Sequence, residues 1–473
     1  MKSKMKLYNT LSRTIEELSP LHPPTVTFYS CGPTVYDFTH IGHMRTYINN
    51  DVLKRALTYR GFSVNHVMNI TDVGHLSGDT DEGEDKLEKG AQKSGKTVWE
   101  VAEFYTGNFF DTMKALNVIP ATTTCKATDH ITDMTSCINT LVQKGFAYET
   151  EQAVYFDTTK FQGYGKLSRQ NIAEKMQGVR DEVNVDPEKK HPADFALWFK
   201  LVGRFADHQM HWNSPWGDGF PGWHIECSAM SMKYLGETID IHSGGIDHIP
   251  VHHENEIAQS EAATGKQFVT VWFHNAFLLV DGAKMSKSLN NFYTIEDIQK
   301  RHIDPLALRM LFFQTHYRQE MNFTWESVQA AQTALQKLRE QVLALRAQTQ
   351  RQTLSEDKLQ RVDEYRSQFT QALENDLQMP QAVAVVWSML KSNIPSEDKL
   401  DLLYEFDTVL GLDLRNVKED QLPDEVAQLR LQRDHARAEK NFALSDELKQ
   451  KIEAQGFIVL DGINGTSLKK KTN

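Results

Sequence analysis

His40 and His43 stand three apart in the tetrapeptide HIGH, and Lys284 and Lys287 stand three apart in the pentapeptide KMSKS, about 240 residues downstream. Together these groups can do phosphate chemistry. Residues three apart share a helix face, and a helix N-terminus offers free N–H groups and the positive end of its dipole to an anion. Gly42 removes a side chain that would keep a nucleotide away from the backbone. Lysine ammonium groups are compact point charges suited to phosphate. Cations placed where charge builds on a departing pyrophosphate lower the barrier to its departure. Alone, HIGH reads equally well as two surface histidines in a first helical turn, and KMSKS as an ordinary basic loop. Both together, in this order, point to ATP.

A second constellation could bind a metal. Cys31 ends the first strand, on the edge where a doubly wound sheet binds ligands. Cys227 and the pair His252 and Glu256 come from much later in the chain, and that pair is four apart, on one helix face. Two thiolates, an imidazole and a carboxylate suit zinc. Spacing does not choose His252 over His253, nor exclude His224 or His242. Cys125 and Cys137 match no such pattern and read as structural.

The elements that must position these groups are legible in outline. Residues 25–32 (TVTFYSCG) read as a buried strand, residues 39–59 as a helix and residues 63–70 (SVNHVMNI) as the next strand, which is a parallel-sheet unit. Helical patterns fill 86–118 and 128–145, with hairpin-like segments at 146–158. Residues 74–85 are polar and acidic and read as a loop, and 178–193 as a charged surface connection. Sheet patterning resumes with TIDIHSGG (238–245), a helix from His252, and FVTVWFHNAFLLV (268–280) as one strand running into KMSKS. The nucleotide-binding sheet is therefore expected in two halves, about 20–120 and 205–295, split by an insertion. After Asp304 the texture is helical, and 328–359 reads as one solvated helix of a bundle.

Composition bounds the rest. A chain of 473 residues suggests about three domains. No apolar run approaches the roughly 18 residues of a membrane-spanning helix. The charged start MKSKMKLYNT lacks the apolar stretch of a signal peptide. Four cysteines in so long a chain argue against a disulfide framework and for a reducing, cytoplasmic setting. A net charge of −11 weighs against a generic nucleic-acid coat, yet residues 428–473 carry nine Lys/Arg against six Asp/Glu. That local surplus, with Lys469, Lys470 and Lys471 closing the chain, fits contacts to an RNA backbone.

HIGH and KMSKS resemble the two signatures of class I aminoacyl-tRNA synthetases. The segments CGPTVYDFTHIGHMR (31–45), PGWHIECSAM (221–230) and HSGGIDHIPVHHENEIAQSE (242–261) narrow the resemblance to the cysteinyl-tRNA synthetase family, over essentially the whole chain. The resemblance implies an α/β fold: a Rossmann-like catalytic domain with an insertion, then an α-helical bundle and a small C-terminal anticodon-binding domain. Its expected parts are 1–120 and 205–295 for the catalytic halves, 121–204 for the insertion, 296–325 for a stem-contact segment, 326–420 for the bundle and 421–473 for the anticodon unit. It implies ligation of L-cysteine to tRNA(Cys) by way of a cysteinyl-adenylate, by a cytoplasmic monomer. It implies one Zn²⁺ per chain on Cys31, Cys227, His252 and Glu256, and Mg²⁺ with ATP. His40, Gly42, His43, Gly244, Asp247 and Lys287 would bind ATP, with His40, His43, Lys284 and Lys287 serving catalysis. Trp223 and Thr71 would line the amino-acid pocket. Arg437, Asp446 and Asp461 fall where the family reads anticodon bases, and Phe442 where an aromatic ring can stack on one.

Two departures stand out. Asn290 replaces the family's usual glycine after KMSKS, which Asn tolerates because it adopts left-handed geometry. The text after NITD, VGHLSGDTDEGEDK, is about ten residues longer and more acidic than the family's short form. A cysteine ligase acting on an amino sugar would share the metal site but lack the anticodon unit. A regulatory RNA-binding paralogue would have no need of intact HIGH and KMSKS.

Overall fold

A computed structural model of the chain describes residues 4–74, 76, 85–170, 186–285, 289, 291–348, 353–418, 423–462 and 465–470. Ser286, Lys287, Ser288, Asn290 and Lys471 lie outside the described residues, as do most of the acidic segment after NITD and the first half of 178–193. The chain divides into two compact units, Met1–Arg415 and Asn416–Asn473.

The first unit is organised by a five-stranded, all-parallel sheet. Its strands are β1 (Thr25–Ser30), β2 (Ser63–Ile70), β3 (Thr123–Lys126), β4 (Ile239–Gly245) and β5 (Val269–Asn275). The order across the sheet is β5-β4-β1-β2-β3. Register is carried by Ile241 opposite both Val271 and Phe28, by Phe28 opposite His66, and by Asn69 opposite Cys125. Five of the six residues of β1 are buried, as expected of a β-branched and aromatic strand covered on both faces. The order reverses between β1 and β4, so the crevice outside their carboxyl ends is the topological switch point. Cys31 follows β1, and Gly244 and Gly245 end β4.

Three helices aim side chains at that crevice: α1 (Ile41–Tyr59), α2 (Trp223–Leu235) and α3 (His252–Thr264). Between the sheet's halves, Ala147–Glu149, Ala153–Phe156, Phe195–Lys200 and Gly219–Pro221 form an antiparallel sheet. Helices Pro305–Phe312, Trp325–Arg346, Glu356–Glu374, Met379–Lys391 and Ser396–Leu410 follow. In the second unit, helices Asp424–Ala438 and Phe442–Ala454 precede a hairpin of Phe457–Gly462 with Gly465–Lys470. Gly456 turns the chain at φ 86°. Among the described residues no helix is long and apolar enough to cross a membrane.

Two expectations fail. Residues 268–280 are not one strand. The chain leaves β5 at Asn275, and Leu278–Val280 joins another sheet, parallel to Met321–Phe323. The cause is Arg45, buried in α1, whose guanidinium donates to the carbonyls of Ala276 at 2.9 Å and Phe277 at 2.8 Å, while the Ala276 N–H goes to Tyr317 O. Nor is 328–359 one helix. Trp325–Arg346 ends where the Arg346 guanidinium caps the carbonyls of Leu414 and Arg415, and a new helix starts at Ser355, whose side chain accepts from Lys358 N.

Gly32 sits between β1 and β2 with no room for a side chain, because a Cβ there would lie 1.5 Å from the Asn69 carbonyl oxygen. Gly32→Ala is expected to force the two central strands apart and lower stability by about 2–4 kcal/mol. Urea denaturation measures this, and an unchanged midpoint contradicts it.

Candidate active site

The two signature motifs meet at the start of α1. His40 is the N-cap, and its Nδ1 accepts from the N–H groups of Gly42 at 3.1 Å and His43 at 3.3 Å. The rings of His40 and His43 stack at 3.6 Å. The segment just past KMSKS is stitched to this turn: Ile41 N donates to Tyr293 O at 3.0 Å, and Phe292 sets its edge on His40. Met285 of KMSKS packs on Gly42, where a Cβ would lie 2.3 Å from its methyl carbon. Lys284 ends a short strand (Ala283–Lys284), exposed, with its Nζ 5.0 Å above the Phe277 ring. Lys287 lies outside the described residues.

An imidazole nitrogen that accepts two N–H groups has to be unprotonated. Burial, then the neighbouring His43, push the His40 pKa down to about 2; burial pushes His43 down to about 4, only partly countered by Asp247. Both rings are therefore neutral at pH 7. An unfolded chain binds protons at these residues near the ordinary value of 6.5, so the penalty on folding is absent above that pH. It grows as pH falls, by up to about 1.4 kcal/mol per pH unit for His40 and by less for His43, whose exposed ring is screened by solvent, and levels off at the folded value. His40→Asn keeps an N-cap acceptor and should flatten the loss of stability between pH 7 and 5. Denaturation curves of the two proteins with equal slopes over that range refute this.

Facing this turn across the crevice is a buried cluster of donors. Cys31, His252, His253 and Glu256 each offer an atom within 4.8 Å of the others. Glu256 is wholly buried. Its Oε2 accepts from His242 Nε2 at 2.8 Å, and its Oε1 lies 3.0 Å from His252 Nε2 and 4.0 Å from Cys31 Sγ. The Cys227 thiol hydrogen-bonds with Cys31 and also reaches His252. His253 lies 3.4 Å from Cys31 Sγ through Nε2, while its Nδ1 is held by His274 at 2.7 Å, and His274 is held in turn by Thr10. His224 meets His252 through Nδ1 at 2.9 Å.

Charges of both signs face one another in the field of this pocket: imidazoles hold a carboxyl down, and a carboxylate and a thiol hold an imidazole up. Burial raises a carboxyl and lowers an imidazole, yet Glu256 is held down at about 2 by His242 and His252. His252 is pushed up to about 10 against its own burial by Glu256 and Cys227. Burial raises the Cys31 thiol; the hydrogen bond to Cys31, then burial, raise Cys227 well above its usual value. Two thiols, an imidazole and a carboxylate converging in such a field fit a soft divalent cation, whose binding displaces the thiol protons.

The remaining expected residues surround this cluster. The Trp223 ring stacks on His252 at 4.1 Å and is edge-on to His248. Thr71, buried at the end of β2, donates to Glu226 Oε2 at 2.9 Å. A Cβ on Gly244 would meet the His253 ring at 2.5 Å, so only glycine lets the strand end lie against it. Asp247 is exposed, and its charge bears on His43, His248 and Cys31, which ties the HIGH turn and the donor cluster into one site.

In the C-terminal unit, Asp461 is gripped by the buried Arg433 at 2.7 and 3.1 Å and by Arg437 at 2.9 Å. Asp446 and Phe442 are exposed on the second helix. Sequence reasoning did not single out Asn69, Glu226 or Arg45. Nothing but their burial by tertiary contacts marks them, and no spacing rule reports that.

The family described as tRNA synthetases class I (C) catalytic domain matches residues 17–333. The cysteine--tRNA ligase 1 of Burkholderia lata is 44% identical over 98% of this chain and 96% of its own length. Those of Treponema denticola and Caldicellulosiruptor saccharolyticus are 41% and 43% identical, each over 98% of this chain and 99% and 100% of their own. The solved methionyl-tRNA synthetase of Mycobacterium tuberculosis in complex with methionyl-adenylate shares the fold at a TM-score of 0.57 and 14% identity, over 82% of this chain and 88% of that one. A ternary LeuRS–tRNA–LeuAMS complex from Agrobacterium radiobacter shares it at 0.60 and 12%, over 85% of each chain. With its fold, its two signature motifs and its near-full-length relatives in agreement, the chain belongs to the cysteine--tRNA ligase family of class I aminoacyl-tRNA synthetases.

Proposed function

We propose that the site selects L-cysteine through zinc, activates it with ATP and Mg²⁺ as cysteinyl-adenylate, and passes it to the terminal 2′-hydroxyl of tRNA(Cys). The carrying observation is the buried convergence of Cys31, His252, His253 and Glu256, with Cys227 bonded to Cys31 and reaching His252; the reading takes Cys31, Cys227, His252 and Glu256 from it. These four would hold one zinc ion. Of the two neighbouring imidazoles, His252 has the stronger case, because its Nε2 lies 3.0 Å from Glu256 Oε1, against 3.9 Å for that of His253. Bound there, zinc supplies a soft cation that takes a cysteine thiolate as a further ligand and has little preference for a serine hydroxyl. Shape alone separates substrates differing by one atom only about a hundredfold, whereas translation needs roughly 10⁴–10⁵, or about 5.5–7 kcal/mol.

The chain's own residues do the rest by placement. Trp223 walls the pocket over His252, and Thr71 closes its far side. Neutral His40 and His43 donate to phosphate oxygens at the start of α1, and Gly42 lets the nucleotide approach the backbone. Gly244 and Asp247 lie by the adenosine. Lys284 and Lys287 receive the charge of the departing pyrophosphate. Arg437, Asp446 and Asp461 contact the anticodon. The domain limits set out from the sequence, a monomeric state and a cytoplasmic setting belong to the same reading.

Cysteine-dependent ATP–pyrophosphate exchange in the absence of tRNA is expected, followed by charging of purified tRNA(Cys). Exchange without charging would favour the amino-sugar ligase instead, and no exchange at all would favour a regulatory paralogue.

A further inference from the structure

Glu226 is wholly buried on α2, between Trp223 and Cys227. Its Oε2 accepts from the Thr71 hydroxyl at 2.9 Å. Thr71 Oγ1 accepts in turn from Asn69 Nδ2 at 3.1 Å. Asn69 Oδ1 then accepts from Gly32 N–H at 2.8 Å and from the Cys227 thiol at 3.8 Å. A hydrogen-bonded string thus crosses the carboxyl ends of β1 and β2, from a thiol of the donor cluster to Glu226. At its far end Glu226 Oε1 has no hydrogen-bond partner among the described residues. Burial, and with it Asp72, holds the Glu226 carboxyl well above the usual carboxylate range, against the opposing pull of Thr71 and His252.

Buried polar side chains are almost always hydrogen-bonded. An oxygen left without a partner costs stability whether or not the carboxyl holds a proton. A fold retains such a group where a ligand completes it. The molecule that enters this pocket carries a thiol at one end and an ammonium group two carbons away.

We infer that Glu226 accepts the α-ammonium group of the substrate amino acid, with Thr71 and Asn69 holding its carboxylate in place. The inference rests on the reading that the substrate's sulfur sits among Cys31, Cys227, His252 and Glu256. Glu226 is then the specificity-determining residue for the amino end, as the metal cluster is for the sulfur end. A thiol acid without the amine fills the sulfur end and makes no contact with Glu226, so only the amino acid should feel a change at that residue.

Glu226→Gln keeps the size of the side chain and the acceptor for Thr71 but removes the charge. The test uses the zinc-loaded full chain with L-cysteine as substrate and 3-mercaptopropionate as competitive inhibitor of ATP–pyrophosphate exchange. A charge-assisted hydrogen bond predicts a rise of about 10- to 100-fold in the KM for cysteine. Zinc content, the KM for ATP and the inhibition constant of 3-mercaptopropionate should stay as in the wild type. A cysteine KM within twofold of wild type overturns the inference. So does a parallel rise in both constants, or a loss of zinc from the variant, because a merely structural role moves all of these together. Should Glu226→Gln fail to fold, Glu226→Asp withdraws the carboxylate by one methylene and is read by the same ratio of constants. Absence of zinc from active wild-type protein would instead overturn the metal reading, so the two failures are distinct.

Discussion

Replacing Cys227 by serine should strip the protein of zinc and of cysteine activation together, with exchange falling about 10³-fold or more. Cys227 is buried at 1% exposure and touches both Cys31 and His252. Serine is nearly isosteric, so the core around α2 should hold, and a melting curve close to wild type is expected. What goes is one of two soft donors. A hydroxyl in that position is a poor ligand for zinc at neutral pH. The residual activity carries the sharper test. Without the cation, discrimination between cysteine and serine should collapse to what shape alone affords, about a hundredfold. Elemental analysis and exchange with each amino acid measure the three quantities. Full exchange by a zinc-free variant removes the basis of the selection mechanism.

The second large effect is expected at Arg45. Its guanidinium is buried and donates to four backbone carbonyls: Ala276 at 2.9 Å, Phe277 at 2.8 Å, His316 at 3.2 Å and Gln319 at 2.7 Å. Burial lowers its pKa to about 10, which still leaves it charged at neutral pH. Arg45→Leu leaves those carbonyls without a donor, at an expected cost of about 3–5 kcal/mol. Arg45→Lys should recover little, because one ammonium with three donors cannot span acceptors on two separate segments as a planar fork does. Activity should fall with stability. Arg45 lies two residues past His43 in α1 and clamps the bend that leads to Lys284, so its loss lets the two phosphate-binding motifs drift apart. Urea denaturation and exchange kinetics report the two effects, and a lysine variant with a wild-type midpoint would show that the fork is dispensable.

Residues bearing chemistry were legible because their types are rare and their spacings are fixed by the helix and the sheet edge. HIGH opens a helix, Lys284 ends a strand, Cys31 follows one and His252 starts a helix, and the parallel strands announce themselves by unbroken apolar runs such as TVTFYS. Sequence did not resolve what depends on contacts between distant segments. The bend at Ala276 has no turn signal, since its cause is Arg45, more than 200 residues upstream. The break before Ser355 is a capping event inside a stretch of uniformly helix-forming residues. The difference between His252 and His253 lies in how near each Nε2 comes to Glu256, which helical spacing alone does not report. The grip of Arg433 and Arg437 on Asp461 depends on how the C-terminal hairpin packs on its helix, which no local pattern reports.

The adjacency of β1 and β4 has a consequence for how the molecule is made. Cys31 leaves the ribosome early, and its partner thiol follows nearly 200 residues later, with His252 and Glu256 later still. Closing so long a loop costs only slightly more entropy than closing a short one, but it cannot happen until the second half has been synthesised. A nascent chain that has not reached Glu256 therefore cannot present the full donor set. On the zinc reading, metal capture would then wait for the joining of the two halves, and the ion that enters would be the one a finished cage prefers.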